Sequence, residues 1–111
     1  MKKKMQTFND GCCSFRLIDE DGNAGSEKEH LNFEERTVGY KRYYEAMNNK
    51  VQIDRMIRVP CRPWLTTEYL AVLEDQVYEL KQVQMIPDVS PRSMDVSLHL
   101  TRQRRITDGT V

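Results

Sequence analysis

The sequence predicts an all-β domain, and three observations support that prediction. Short runs of alternating apolar and polar residues recur along the chain, most clearly in Val96-Ser97-Leu98-His99-Leu100. Turn-forming residues separate these runs at intervals of about 8–12 residues, which is typical of a sandwich or a barrel. Pro60 and Pro87 each close an apolar run, because proline lacks the amide that a strand ladder requires. A closed barrel would leave no exposed edge in so small a sheet.

The first two predicted strands form a long hairpin. Residues 19–27, DEDGNAGSE, are the clearest turn cluster, in which Gly22 and Gly25 are able to take positive φ. Apolar residues alternate with polar ones on both sides of this turn, namely Cys13, Phe15 and Leu17 before it and Leu31 and Phe33 after it.

A polar and aromatic insert, residues 39–50, separates this hairpin from the third strand. On a short helix from Gly39 to Asn49, Tyr40, Tyr44 and Met47 would share one face. Such a helix could pack on the domain's own core, or it could face a neighbour or line an opening. The residues alone leave these two interpretations open.

The third strand contains Val51, Ile53, Met56, Ile57 and Val59 and ends at Pro60. Its alternation is broken once, which predicts a bulge at Asp54–Arg55. A loop, residues 61–66, follows and carries the single tryptophan, Trp64.

Residues 66–86 fit two patterns. Leu70, Leu73, Val77 and Leu80 have helical spacing, which predicts an amphipathic helix. The alternative is two strands divided at residues 74–76, and we favour it because a barrel that lacked this hairpin would keep two unpaired edges. Tyr69, Ala71 and Leu73 then share one face, and Tyr78 and Leu80 begin the next strand.

The 111 residues are expected to form one domain. Its predicted parts are an N-terminal tail at 1–11, a single domain at 12–101 that contains the insert, and a basic, mobile C-terminal tail at 102–111. The first residues lack the apolar run of a secretory signal, and no apolar stretch is long enough to span a membrane. Cys12, Cys13 and Cys61 are therefore expected to be reduced thiols of a protein made in a cytoplasm.

The residues give little support to catalysis or to cofactor binding. His30, His99 and the three cysteines lack the spacing of a metal site, and no flanking turn would stabilise an oxyanion beside a cysteine. The glycines form neither a dinucleotide fingerprint nor a P-loop. We expect no metal, no cofactor and no enzymatic activity.

Charge is balanced, with 17 Lys and Arg against 17 Asp and Glu, and this argues against a dedicated nucleic-acid binder. Local basic clusters remain. Lys41 and Arg42 lie among tyrosines, a pattern that can contact phosphates and stack on bases, and the C-terminal tail carries Arg102, Arg104 and Arg105. Solvated tails and ordinary interface tyrosines would explain the same residues.

The order of these segments resembles the head–tail joining family of long-tailed bacteriophages, the small head-closure or stopper proteins. The likeness runs from about Phe15 to Thr101. Its most specific pieces are Tyr43-Tyr44-x-Ala46, the strand Ile53-x-Arg55-x-Ile57-x-Val59-Pro60, Tyr78-x-Leu80-x-x-Val83 and the final Leu98-x-Leu100. Relatives often have glycine in the turn before the Tyr-x-Leu strand. This chain has Glu74-Asp75-Gln76 there, which leaves that turn's type open.

The resemblance implies a small antiparallel β-barrel with a long loop or short helix inserted between its second and third strands. It also implies a ring of copies, a dodecamer, in the connector or neck of the virion. That ring would meet the portal or adaptor protein above and the tail-terminator or tail-completion protein below, and would retain double-stranded DNA in its channel.

The resemblance places the channel-facing loop on the insert. Gly39 would be its hinge and Asn48-Asn49 its exit turn. Lys41, Arg42 and Lys50 would face DNA phosphates, and Tyr43 and Tyr44 would pack together to close the channel. Tyr40 would belong to the same channel-facing loop. Arg102, Arg104 and Arg105 would supply assembly or DNA contacts.

Two other classes of protein remain. One is a neighbouring connector component, an adaptor or a tail terminator. The other is a small OB- or SH3-like nucleic-acid-binding module.

Overall fold

The computed structural model describes residues 4–37 and 53–106, which form β-strands and connections without a helix. Six strands close into an antiparallel barrel in the order β2-β3-β4-β8-β6-β5, and β5 pairs back onto β2. A two-stranded parallel sheet, β1 with β7, lies beside the barrel. The strands are β1 (Lys4–Met5), β2 (Gly11–Ile18), β3 (Ala24–Arg36), β4 (Arg55–Pro60), β5 (Tyr69–Leu73), β6 (Gln76–Ile86), β7 (Val89–Ser90) and β8 (Ser93–Leu100). The prediction of a small all-β barrel is confirmed.

One apolar core fills the barrel. Its fully buried members come from strands far apart in sequence, such as Phe15, Ile57 and Val96. A second, smaller cluster of Ala24, Leu70 and Val77 packs separately from that core. Closure of the sheet therefore buries the inward residues of all six strands in one interior, which stabilises a chain of this size.

The β2–β3 hairpin forms as predicted, but its turn is shorter. The turn occupies residues 19–23, and Asp19 organises it by accepting hydrogen bonds from the amides of Asp21 and Asn23 at 2.9 and 2.8 Å. Gly22 has a φ of 81°, as predicted. The prediction for Gly25 is wrong. It is a buried strand residue, and a Cβ there would meet the Leu17 carbonyl oxygen at 3.2 Å, so space rather than φ favours glycine.

The predicted bulge at Asp54–Arg55 is also wrong. β4 begins at Arg55 and pairs with β8 as far as Pro60 without a register shift. Asp54 lies just outside the strand, where its amide donates to the Leu98 carbonyl oxygen at 2.8 Å. The break in alternation therefore marks the start of the strand. Register shifts occur instead in β6, between Leu80 and Gln82, and in β2.

Residues 66–86 form strands, not the helix of the alternative pattern. β5 and β6 are joined by Glu74 and Asp75, which have φ of 52° and 65°. Positive φ at both central residues of a two-residue hairpin is the signature of a type I′ turn. Ala71 and Leu73 face the core beside Tyr78 and Leu80, and Tyr69 packs against it, as the strand interpretation predicts.

Both segments that flank the predicted domain contact the barrel. Lys4 and Met5 pair with Val89 and Ser90, and Gly11 already belongs to the first barrel strand. Residues 102–106 run past the β2–β3 turn, where Ile106 forms a parallel bridge with Ala24.

Candidate functional site

The insert leaves and re-enters the barrel on two neighbouring strands. β3 ends at Arg36 and β4 begins at Arg55, and the two strands pair through Glu35 with Ile57 and Arg36 with Met56. In the barrel these are the second and third strands, as the resemblance implies. The predicted loop residues themselves lie outside the described residues, namely Gly39, Tyr40, Lys41, Arg42, Tyr43, Tyr44, Asn48, Asn49 and Lys50. The structure therefore describes the base of the insert.

Arg55 closes the barrel at this base. It pairs with Leu98 across β4 and β8, which puts its side chain on the inward face of the sheet. Its guanidinium lies 5.7 Å from the ring centroids of both Phe33 and Tyr78, and its Nη1 is 3.4 Å from the Tyr78 hydroxyl oxygen. Stacking a planar cation on two aromatic rings covers the end of the apolar core.

Two carboxylates neutralise this cation. Glu35 accepts from Arg55 Nη2 at 2.5 Å and from Nε at 3.3 Å, and Glu74 lies 3.6 Å from Nη1. The hydrogen bonds that Arg55 donates to Glu35 raise the pKa of Arg55, against the opposing effect of burial. Because Glu35 is the penultimate residue of β3 and Arg55 is the first residue of β4, the ion pair ties together the two strands that flank the insert.

Asp54 fastens the same base to β8. Its carboxylate accepts from the Leu100 amide at 2.7 Å and lies 2.9 Å from His99 Nδ1. On the β3 side, the Asp10 carboxylate accepts from the Glu35 amide at 2.7 Å. The residues that flank the insert are thus tied by charge-assisted hydrogen bonds to β8 on one side and to the segment before β2 on the other, which stabilises the base of the insert.

The C-terminal arginines have separate environments. Arg104 is bound internally, because it donates to Glu79 at 3.1 Å and also contacts the Gly22 carbonyl oxygen. Arg105 uses its backbone, which bonds Asn23 Oδ1 at 2.9 Å and the Ala24 amide at 2.8 Å, while its side chain is exposed. Arg102 is exposed as well. Of the three predicted contact residues, two therefore present their side chains to solvent.

Arg102 lies at the same end of the barrel as the base of the insert. It lines a shallow pocket of about 270 Å³ together with Asp75, Gln76 and Leu100. Leu100 is the residue whose amide binds Asp54, and Asp75 follows the Glu74 that contacts Arg55. The structure thus places Arg102 at the barrel end that carries the insert, whereas Arg104 and Arg105 contact the β2–β3 turn.

The opposite end of the barrel is closed differently. Trp64 packs edge-on against Phe15 at 6.2 Å and lies 5.1 Å from the Tyr69 ring, with Lys28 over its face at 5.7 Å. This end is covered by the 61–68 loop rather than by strand termini that carry an insert. The two ends are therefore chemically distinct, and only one of them carries the insert.

Sequence reasoning missed Arg55 and Glu35 as functional residues. The pattern Arg55-x-Ile57-x-Val59 contained the necessary signal, because an arginine in register with two inward apolar residues must lie at an end of the core. Glu35 carried no comparable signal, since its partner is 20 residues away along the chain.

No group of three or more His, Cys, Asp or Glu side chains within 4–37 and 53–106 is placed to hold a metal ion. His30 contacts Glu27 and His99 contacts Asp54. All three cysteines are free thiols: Cys12 is exposed, Cys61 is half-buried, and burial raises the pKa of Cys13 well above its ordinary 9.0.

In the part of the chain that the structure describes, no helix is long and apolar enough to cross a membrane. No protein-family model matches the chain, and no curated protein is significantly similar to it in sequence.

Proposed function

We propose that this protein is a head-closure component of a phage connector, in which the barrel is a rigid frame and the insert gates a DNA channel. The observation that carries the proposal is that three features meet at one barrel end. They are the hydrogen-bonded base of the insert, Arg55, whose guanidinium covers the end of the core, and the exposed Arg102. A frame with one specialised end suits a ring whose subunits all point the same end at a common axis.

In this mechanism the insert closes the channel by steric and electrostatic means. The charges of Lys41, Arg42 and Lys50 neutralise DNA phosphates. The rings of Tyr43 and Tyr44 pack together to close the channel. Arg102 adds positive charge at the base, where Arg55 already neutralises Glu35. Repetition round a ring of copies multiplies these weak contacts, so a chain with zero formal net charge can still hold DNA.

The partners follow from this position. Copies of the chain form the ring in the virion neck, a portal or adaptor protein lies above it, and a tail-terminator or tail-completion protein lies below. An adaptor role fits less well, because adaptors are mostly helical and the described residues contain strands only. No catalytic step is part of the mechanism.

Deletion of residues 40–49 tests the gating role. The barrel should stay folded, because the ties at Arg55 and Asp54 lie outside the deletion, and phage particles that carry the variant should lose packaged DNA. A charge-only variant, Lys41→Gln with Arg42→Gln and Lys50→Gln, is the matched control for loop length and should leak less than the deletion. Particles with the deletion that retain DNA as well as the parent would rule the gating role out.

The runner-up is a small nucleic-acid-binding barrel, which the exposed Arg102 and Arg105 favour. A monomer of that kind would bind free oligonucleotide with a steep dependence on salt. Head closure predicts weak binding by the isolated chain, with DNA contact that depends on the assembled ring.

A further inference from the structure

An N-terminal strap, residues 4–10, lies across the outside of the barrel and is anchored at two places. At its start, Lys4 and Met5 pair in parallel with Val89 and Ser90, and the Gln6 amide donates to the Ser90 carbonyl oxygen at 2.8 Å. At its end, the Asp10 amide donates to the Phe33 carbonyl oxygen at 2.9 Å. The strap therefore bridges two distant parts of the fold.

Gln6 inserts its side chain into a buried polar cluster. Arg58 on β4 forms a bidentate pair with Asp95 on β8 at 2.7 and 3.1 Å, and donates from Nη1 to Gln6 Oε1 at 2.9 Å. The side chains of Arg58 and Asp95 are 10% and 7% exposed. Glu34 belongs to the same cluster: burial opposes ionisation there, but hydrogen bonds from Gln6 and Arg36 lower its pKa overall. Gln6 thus occupies a polar site, called the receptor below, that side chains of β3, β4 and β8 form together.

Little apolar burial holds the strap in place. Met5 is 78% exposed, Thr7 and Asn9 are also exposed, and Phe8 is only half-buried. The ladder with β7 covers two residue pairs, whereas β2 and β3 pair over most of their length. Segments with few buried apolar contacts open at the lowest free energy, so the strap should open more readily than the six barrel strands.

The receptor left by a departing strap fits one partner on chemical grounds. It offers the β7 strand, the Arg58–Asp95 pair and a site for one amide side chain, in the spacing of residues 4–6 of this chain. A second copy supplies the same segment with the same contacts, so exchange between copies costs little beyond association. A one-sided exchange leaves each copy with a free strap for the next neighbour, which generates a ring or a chain.

We infer that the strap is an exchangeable arm, and that in the assembled state residues 4–9 of one copy dock on the β7 strand and the Arg58–Asp95 pair of a neighbouring copy. The turning point lies between Thr7 and Asp10, because Asp10 and Gly11 are already fixed to β3. The exchange requires self-association and no DNA, so it stands or falls apart from the gating role.

Disulfide trapping tests the exchange on the purified full chain. Met5 and Ser90 are direct partners, and paired residues on adjacent strands lie about 5 Å apart between Cα atoms, within the range that a disulfide spans. Two single variants, Met5→Cys and Ser90→Cys, are each made in a Cys12→Ser background, which removes the exposed native thiol. They are then mixed, oxidised and separated without reductant.

Exchange predicts a mixed disulfide between the two variants whose yield rises with protein concentration, and covalent multimers from the double variant. The yield of mixed disulfide between Glu20→Cys and Ser90→Cys measures chance collision. The yield between Met5→Cys and Ser90→Cys should exceed it by about fivefold. Gln6→Ala should lower the arm yield by roughly threefold to tenfold, since it removes the hydrogen bond to Arg58, whereas the exposed neighbour Thr7→Ala should not.

Two results would overturn the inference. One is intramolecular closure of the double variant with no mixed disulfide above the Glu20→Cys background at any concentration. The other is no disulfide between positions 5 and 90 in either arrangement, which would contradict the docking contacts themselves.

Discussion

Arg55 donates through Nη2 to Glu35 at 2.5 Å and thereby joins the first residue of β4 to the penultimate residue of β3. The same guanidinium stacks between Phe33 and Tyr78. One side chain therefore closes the barrel, joins two neighbouring strands and fixes the two strand ends that flank the insert.

Arg55→Ala should lower the free energy of unfolding by about 2 kcal/mol. The exposed ion pair accounts for a minor part, because Glu35 is 43% exposed, and lost packing on the two rings accounts for the rest. Urea denaturation measures the change. Arg102→Ala, which changes an exposed arginine at the same barrel end, is the matched control and should change stability by less than about 0.5 kcal/mol. Equal losses of unfolding free energy for the two substitutions would contradict the role of Arg55 in closing the barrel end.

The turn between β5 and β6 should accept a double substitution, Glu74→Asn with Asp75→Gly, and gain stability. Both positions have positive φ, which costs an ordinary L-residue about 1 kcal/mol and costs Asn or Gly much less. Thermal unfolding should shift upward by about 4 °C. Gln76→Gly, one residue later and at the first position of β6, should lower the midpoint instead, since glycine weakens a strand. A lower midpoint for the turn variant would contradict the type I′ assignment.

The ion pairs of Glu79 should make the folded protein less stable in acid than at neutral pH. A hydrogen bond from Lys81, and a further one from Arg104, lower the pKa of Glu79 below its ordinary 4.5, against the effect of burial. Because the folded-state pKa is the lower one, this stabilisation is fully present above about pH 4.5 and is lost as pH falls through the depressed value. Glu79→Gln should therefore cost about 1 kcal/mol near neutral pH, and this cost should shrink as the pH falls below 4.5. A cost independent of pH would show that the ion pairs contribute little.

Thiol labelling should separate the three cysteines. Cys12 is exposed and should react with a disulfide reagent first, whereas Cys13 is buried and its raised pKa disfavours the reactive thiolate. Cys12→Ser should remove the fast phase and leave Cys13 unreactive until denaturant is added. Fast labelling of Cys13 in the folded protein would contradict its place in the core.

Local sequence patterns predicted most of the barrel, because alternation and proline report directly on strand faces and strand ends. Val96 and Leu98 are inward residues, as their alternation indicates. Patterns were ambiguous where two periods coincided: Leu70 and Val77 fit a helix, yet both lie on the face opposite the main core and form the smaller cluster with Ala24. The spacing of apolar residues alone could not distinguish one helix from two strands in residues 66–86.

Contacts distant in sequence were beyond local patterns. Lys4 pairs with Val89, and Asp54 binds the Leu100 amide, although nothing near either residue indicates its partner. For the candidate site, sequence identified the insert and the C-terminal arginines as separate features. Arg102 and the base of the insert lie at one barrel end because β8, which precedes Arg102 in the chain, pairs with β4.

Electron microscopy of the phage particle in which we propose that this protein lies tests the central claim most directly. The account predicts a ring of copies between portal and tail, with the Arg55 end of each barrel turned toward the channel and the insert across it. A particle in which the protein lies outside the neck, or a neck ring whose Trp64 end faces the channel, would contradict the account.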